Sequence, residues 1–121
     1  MRLRIMPGSI WIAYTLTRPD ALEQMMPNHT RIAPTRLLKN DAPACRLLFN
    51  AYQIQSPYMR GVRVDVQTLV ENRENGRKHL VVFDVLTNTM QWNPNDGILL
   101  PNARCSMSTQ AARFCRKDGA L

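Results

Sequence analysis

Lysine, histidine and acidic side chains are all scarce in this chain, and the common catalytic signatures are missing. Three lysines (Lys39, Lys78 and Lys117) stand against thirteen arginines, and with only nine Asp and Glu the formal net charge is +7. The two histidines, His29 and His79, are isolated, and Cys45, Cys105 and Cys115 form an odd set with no CxxC and no matching His spacing. A zinc site needs convergent ligands, so no metal and no cofactor is expected. Free thiols fit a reducing, cytoplasmic compartment. No apolar run approaches the ~20 residues of a membrane span. Pro7 and Gly8 split the apolar start, and no small-residue cleavage site follows, which argues against a secretory signal. There is no Rossmann-type GxGxxG, no P-loop, no HExxH and no GxSxG.

What is present is an ordinary globular composition, 45% hydrophobic and 21% charged over 121 residues, enough for one domain with one core. The arginines are scattered from Arg2 to Arg116 without a basic run, and the aromatics do not interleave with them in any nucleic-acid motif. That dispersion reads as a basic, solvated surface and argues against nucleic acid.

Residues Ser9 to Leu16 read as a strand from their β-branched and aromatic content. Thr17 is then expected to cap a short helix with Pro19 in its first turn, an apolar face of Ala21, Leu22, Met25 and Met26, and a stop at Pro27. Thr30 to Leu38 is extended but interrupted by Pro34. Ala44 to Gln55, Val62 to Val70 and Lys78 to Thr87 are three long β-type segments, the last two separated by a break containing Asn75-Gly76. An Asn-Gly pair between strand patterns is the strongest short hairpin signal, so an antiparallel meander is expected. Asn88 to Trp92 reads as a short strand, and Asn93 to Gly97 is dense turn chemistry. Ser108 to Lys117 reads as a short terminal helix with little apolar face.

With Asn75 and Gly76 as the two central turn residues, Val70 faces Val81, Thr68 faces Phe83, Val66 faces Val85 and Val64 faces Thr87. That face is apolar and is expected to be core, with Cys45, Leu47, Phe49 and Ala51 beside it. The opposite face mixes Arg46, Leu48, Asn50, Tyr52 and Ile54 with Arg63, Asp65, Gln67 and Asp84. Such a face is either a solvent face or the lining of a polar cavity in a curved sheet. Asp65 and Asp84, on neighbouring strands, are the candidates for acid–base chemistry, although Arg63 and Arg46 can neutralise them as ion pairs. Cys45 falls on the apolar face and is expected to be inert.

The segment order resembles the acetoacetate-decarboxylase-like superfamily over Ile10 to Asn102: strand SIWIAYTL, a helix ending Met25-Met26-Pro27, Ile32-Ala33-Pro34, then Phe49-Asn50-Ala51-Tyr52 and the meander through Gly76 to Thr87. The resemblance implies a fold and a small-molecule cavity. It does not carry the reaction over. The decarboxylases form a Schiff base through a lysine after the meander, beside a second lysine, and Gln91 to Cys105 holds none. The family's glutamate is not matched either, since Asn50-Ala51-Tyr52-Gln53 stands in that stretch, and the chain is shorter than the family.

The sequence therefore reads as an α+β, β-rich protein: a curved antiparallel meander, part of a barrel or cone, with one or two short helices. Residues 1–107 are expected to form a single domain and 108–121 a tail. Its expected role is to bind a small anionic or oxygenated organic molecule, with Arg63, Arg46 and Arg60 attracting it and Asn50 and Tyr52 orienting it. The alternatives are an acid–base lyase acting on a small keto acid through Asp65 or Asp84, and a basic domain that binds nucleic acid or protein. Open sheet edges invite pairing with a second copy. Because the lysine pair is missing, borohydride reduction in the presence of acetylacetone is expected to leave the protein mass unchanged by mass spectrometry. An adduct trapped on Lys78 would overturn that expectation.

Overall fold

Alternating side chains and closely spaced turn residues divide the chain into short and long strands, most of which pair with their neighbours in sequence. The computed structural model describes residues 4–5, 8–55, 57, 60–93, 97–107 and 112–117. In chain order these form β1 (Arg4–Ile5), β2 (Ile10–Thr15), the single helix α1 (Pro19–Glu23), β3 (Thr30–Ile32), β4 (Arg46–Gln55), β5 (Arg60–Asn72), β6 (Lys78–Thr87), β7 (Gln91–Asn93), β8 (Gly97–Leu99), β9 (Ala103–Met107) and β10 (Ala112–Arg116).

β2, β4, β5 and β6 lie side by side, all antiparallel. β1 continues the β2 edge opposite Ile54 and Gln55, and β3 pairs with β5 at Val70 to Asn72. Among the described residues β2 and β6 do not pair with each other, so the meander is a sheet and not a closed barrel. The β7–β8 and β9–β10 hairpins form two further ribbons.

The core sits on one face of the sheet, where Ala51, Val64 and Leu86 occupy one cross-strand row and Ala103 of β9 packs onto them. Side-chain amides fix the β9 ribbon above this face. Asn88 Nδ2 donates to the Cys105 carbonyl at 3.1 Å, while Asn88 Oδ1 accepts from the Val62 N–H at 2.9 Å. Asn102 accepts from the Thr87 N–H and donates to the Val85 carbonyl, both at 2.8 Å. The chain at Asn88–Thr89 runs so close to β5 that a Cβ on Gly61 would lie 2.5 Å from the Thr89 side chain, so only glycine fits there.

Three expectations are corrected. First, the β5–β6 register differs. Val70 faces His79, not Val81, and Thr68 faces Val81, not Phe83. The cause is the turn. Among the described residues no non-glycine has positive φ, so Asn75 does not sit in a type I′ turn, and within this turn only Gly76 is left-handed, at φ 68°. The loop is four residues long, closed by the Asn72 N–H on the Arg77 carbonyl at 2.8 Å, with Asn72 Oδ1 accepting from the Glu74 N–H. A bulge then shifts the pairing by one between Val66 and Gln67: Val82 faces Gln67 and Asp84 faces Val66. Phe83 is the extra residue and is 37% exposed, not core.

Second, the helix starts without a Thr17 cap. Its N-cap is Arg18 with no side-chain cap bond, none of its residues is buried, and Met25 beyond it is exposed. It is held instead by Glu23, whose Oε1 accepts from the Ile32 N–H at 2.8 Å. Third, residues 112–116 are a strand paired with β9, not a helix, because pairing satisfies the backbone groups of both strands, whereas an isolated helix this short with so little apolar face is marginal. Residues 108–111 of the expected helix lie outside the described residues.

The bulge sets up a contrast that denaturant unfolding can measure. Leu86→Ala, at a side chain 1% exposed in the core row, is expected to cost about 2–5 kcal/mol. Phe83→Ala is expected to cost no more than about 1 kcal/mol, in the range of surface positions. Equal, large losses would restore the bulge-free register.

Candidate functional site

Tyr52 and Arg63 face each other across β4 and β5, and Asn50 faces Asp65 in the next row on the same side of the sheet. This is the mixed face expected from the sequence, but it is not a wet one. Asp65 is 8% exposed and Gln67 5%, as buried as Val66 on the opposite side. β5 is therefore buried on both faces through its centre, which is unusual for an antiparallel strand.

Burial makes the Asp65 carboxylate demanding, and its two oxygens are separately satisfied. The Tyr52 hydroxyl donates to Oδ2 at 2.7 Å, and Arg63 Nε donates to Oδ1 at 2.6 Å. The Arg63 and Asp65 side chains are 13% and 11% exposed, so the pair is largely withdrawn from water. Burial pushes the Tyr52 phenol well above its ordinary range. The hydrogen bond to Asp65 and the negative charge of that carboxylate push it further, against a smaller opposite pull from Arg63. Asn50 Oδ1 is buried beside this cluster and has no hydrogen-bond partner among the described residues.

The other sequence candidates are not brought here. Arg46 lies six residues from Tyr52 along β4, about 20 Å at the rise of a strand, and is committed elsewhere: Nη1 donates to the Thr35 carbonyl at 2.7 Å and Nη2 lies 3.8 Å from Asp41. Arg60 faces Gln55 at the start of β5, one strand position out of phase with Arg63, and so belongs to the opposite side of the sheet. Asp84 is also on the opposite side, because the bulge reverses the alternation there, and it pairs with Arg116 at 2.7 Å. Asp65 and Asp84 thus do not form a carboxylate pair.

Burial, with the Glu23 charge as a second cause, raises the Cys45 thiol, and burial also raises Cys105, so neither is an activated nucleophile. Among the described residues no three His, Cys, Asp or Glu side chains converge, and no helix is long and apolar enough to cross a membrane.

Sequence reasoning missed a second feature. Read as a strand, residues 113, 115 and 117 share one side, whereas a helix would disperse them. Together with Arg104 and Ser106, Arg113 and Cys115 border a shallow concavity of about 500 Å³ next to Asn88. Comparison with known protein families, curated proteins and solved structures gives no match.

The Tyr52–Asp65 bond links the site to alkaline stability. The phenol ionises more easily in the unfolded chain, near its ordinary value of 10.0, than in the fold, where it is raised. The stability this contributes is therefore full below about pH 10 and is lost as pH rises above it. Tyr52→Phe is expected to lower stability at pH 8 by about 1.5–3 kcal/mol, the worth of a hydrogen bond to a charged group, and to flatten the decline between pH 9 and 11. A variant with an unchanged alkaline slope would contradict the raised phenol.

Proposed function

We propose that the chain binds a small hydroxylated organic acid on the mixed face of the sheet, without decarboxylating it, as a member of the acetoacetate-decarboxylase-like superfamily that has no Schiff-base lysine. The observation that carries this reading is Asn50 Oδ1, a buried acceptor with no hydrogen-bond partner among the described residues. A buried acceptor left unpaired costs free energy, about 1–3 kcal/mol, which a ligand hydroxyl donating to it would recover. Arg63 lies in the adjacent row on the same face, and its guanidinium, held through Nε by Asp65, is the group that would orient the acid rather than a free charge. Trp11, opposite Asn50 on the same face and 53% exposed, offers an aromatic wall for the ligand's carbon frame.

The segment order given above supports the superfamily assignment, and the absence of lysine from Gln91 to Cys105 supports binding without Schiff-base chemistry. The acid–base alternative draws no support from Asp65, both of whose oxygens are engaged. A calorimetric screen of small hydroxy acids against their deoxy analogues tests the proposal. The hydroxy acids are expected to bind more tightly than the deoxy forms, and Asn50→Leu to abolish the difference while the melting temperature stays level or rises. Equal binding of both series, or a preference that survives Asn50→Leu, would overturn it.

A further inference from the structure

The β9–β10 hairpin has two unlike sides. Its inner side, Ala103, Cys105 and Met107, packs onto the Ala51–Val64–Leu86 core. By strand alternation its outer side carries Arg104 and Ser106 from β9 and Arg113 and Cys115 from β10, with Lys117 continuing the β10 series, and all five are exposed. Arg104 faces Cys115 and Arg113 faces Ser106, while the Lys117 N–H donates to the Asn102 carbonyl. The cations thus zigzag between the strands: Lys117, then Arg104, then Arg113, one to each successive row, with rows about 7 Å apart.

Among the described residues no acid pairs with Arg104, Arg113 or Lys117. Between Gly97 and Lys117 the chain holds four cations and no Asp or Glu, and the next acid in sequence is Asp118. Arg116 is turned the other way, where it pairs with Asp84 at 2.7 Å. The sequence pI is about 10.0, so the rest of the chain does not offset the strip's charge.

We infer that the outer side of the β9–β10 hairpin binds the phosphate backbone of nucleic acid. Three cations spread over about 14 Å, from the rise of a strand, are too far apart for one small anion to span. A chain of phosphates presents repeated negative charge along such a line. None of the five outward residues is aromatic, so the strip lacks a stacking platform and contacts the backbone without reading base sequence. The scatter of arginines in the sequence concealed this arrangement, because the row forms only once β10 pairs with β9. The inference is independent of the ligand proposed for the mixed face.

Fluorescence anisotropy with a labelled 20-base-pair DNA duplex tests it. With three phosphate contacts, affinity is expected to fall about 40-fold between 50 and 200 mM salt and to be the same for unrelated sequences. Arg113→Ala is expected to reduce the log–log salt slope by about 0.9 without shifting the melting temperature, and the variant R104A/R113A/K117A to remove binding at 50 mM salt. A second readout uses the unmodified protein. Cys115 lies within the strip, so bound duplex is expected to slow its alkylation by iodoacetamide, and equimolar inorganic phosphate to leave it unchanged. No binding at 50 mM salt, binding that survives the triple variant, or binding without protection of Cys115 would each overturn the inference.

Discussion

Asp65 is a carboxylate at the centre of the middle strand of the sheet, and water does not reach it in any quantity. A charge in that position must be neutralised where it stands or the strand cannot be buried on both sides. Tyr52 and Arg63 do this from the neighbouring positions that antiparallel pairing provides, one oxygen each. Such a pair is weak evidence for stability, since withdrawing both ions from water costs several kcal/mol each. It does enforce register. Sliding β4 by one residue against β5 would turn Tyr52 to the other side and leave Asp65 without its hydroxyl donor. The apolar row of Ala51, Val64 and Leu86 on the opposite face depends on that same register.

The second constraint is the bulge at Phe83. It changes which side of the sheet every residue from Phe83 to Thr87 presents, and so brings Leu86 into the core and sends Asp84 to meet Arg116 of the β9–β10 ribbon. The Asn88 and Asn102 side chains then satisfy backbone groups at the end of β6 and fasten the ribbon above the core. Polar side chains thus set the geometry within which the apolar ones pack.

Much of the fold was legible because long strands with clear alternation say so locally. β4, β5 and β6 lie within two residues of the segments read from Ala44, Val62 and Lys78, and Arg46, Asn50, Tyr52, Arg63 and Asp65 share the face assigned to them. The β5–β6 register was not legible, because Asn75-Gly76 fits both a two-residue and a four-residue loop and the φ of Asn75 decides between them. The bulge leaves no signal in a run such as Val81-Val82-Phe83. Asp84 and Phe83 were misplaced for that reason alone. The terminal segment failed differently: Ala112 to Arg116 has no strong alternation of its own, and its strand is made by pairing with β9, a tertiary effect. The cluster at Tyr52 was legible as residues but not as a buried one, since composition alone does not tell a wet face from a dry one.

The claim on which the rest depends is that Arg63 and Asp65 act as one neutralised unit within a buried face. A double-mutant cycle measures it directly, with Arg63→Met, Asp65→Asn and the pair together followed by denaturant unfolding at pH 7. Each single change strands one partner and is expected to cost about 3–5 kcal/mol. The double variant removes both charges and keeps an acceptor for the Tyr52 hydroxyl, so it is expected to be less destabilised than the sum of the singles by about 1–3 kcal/mol. Single costs that add to within about 0.5 kcal/mol would show two independent residues and contradict the account.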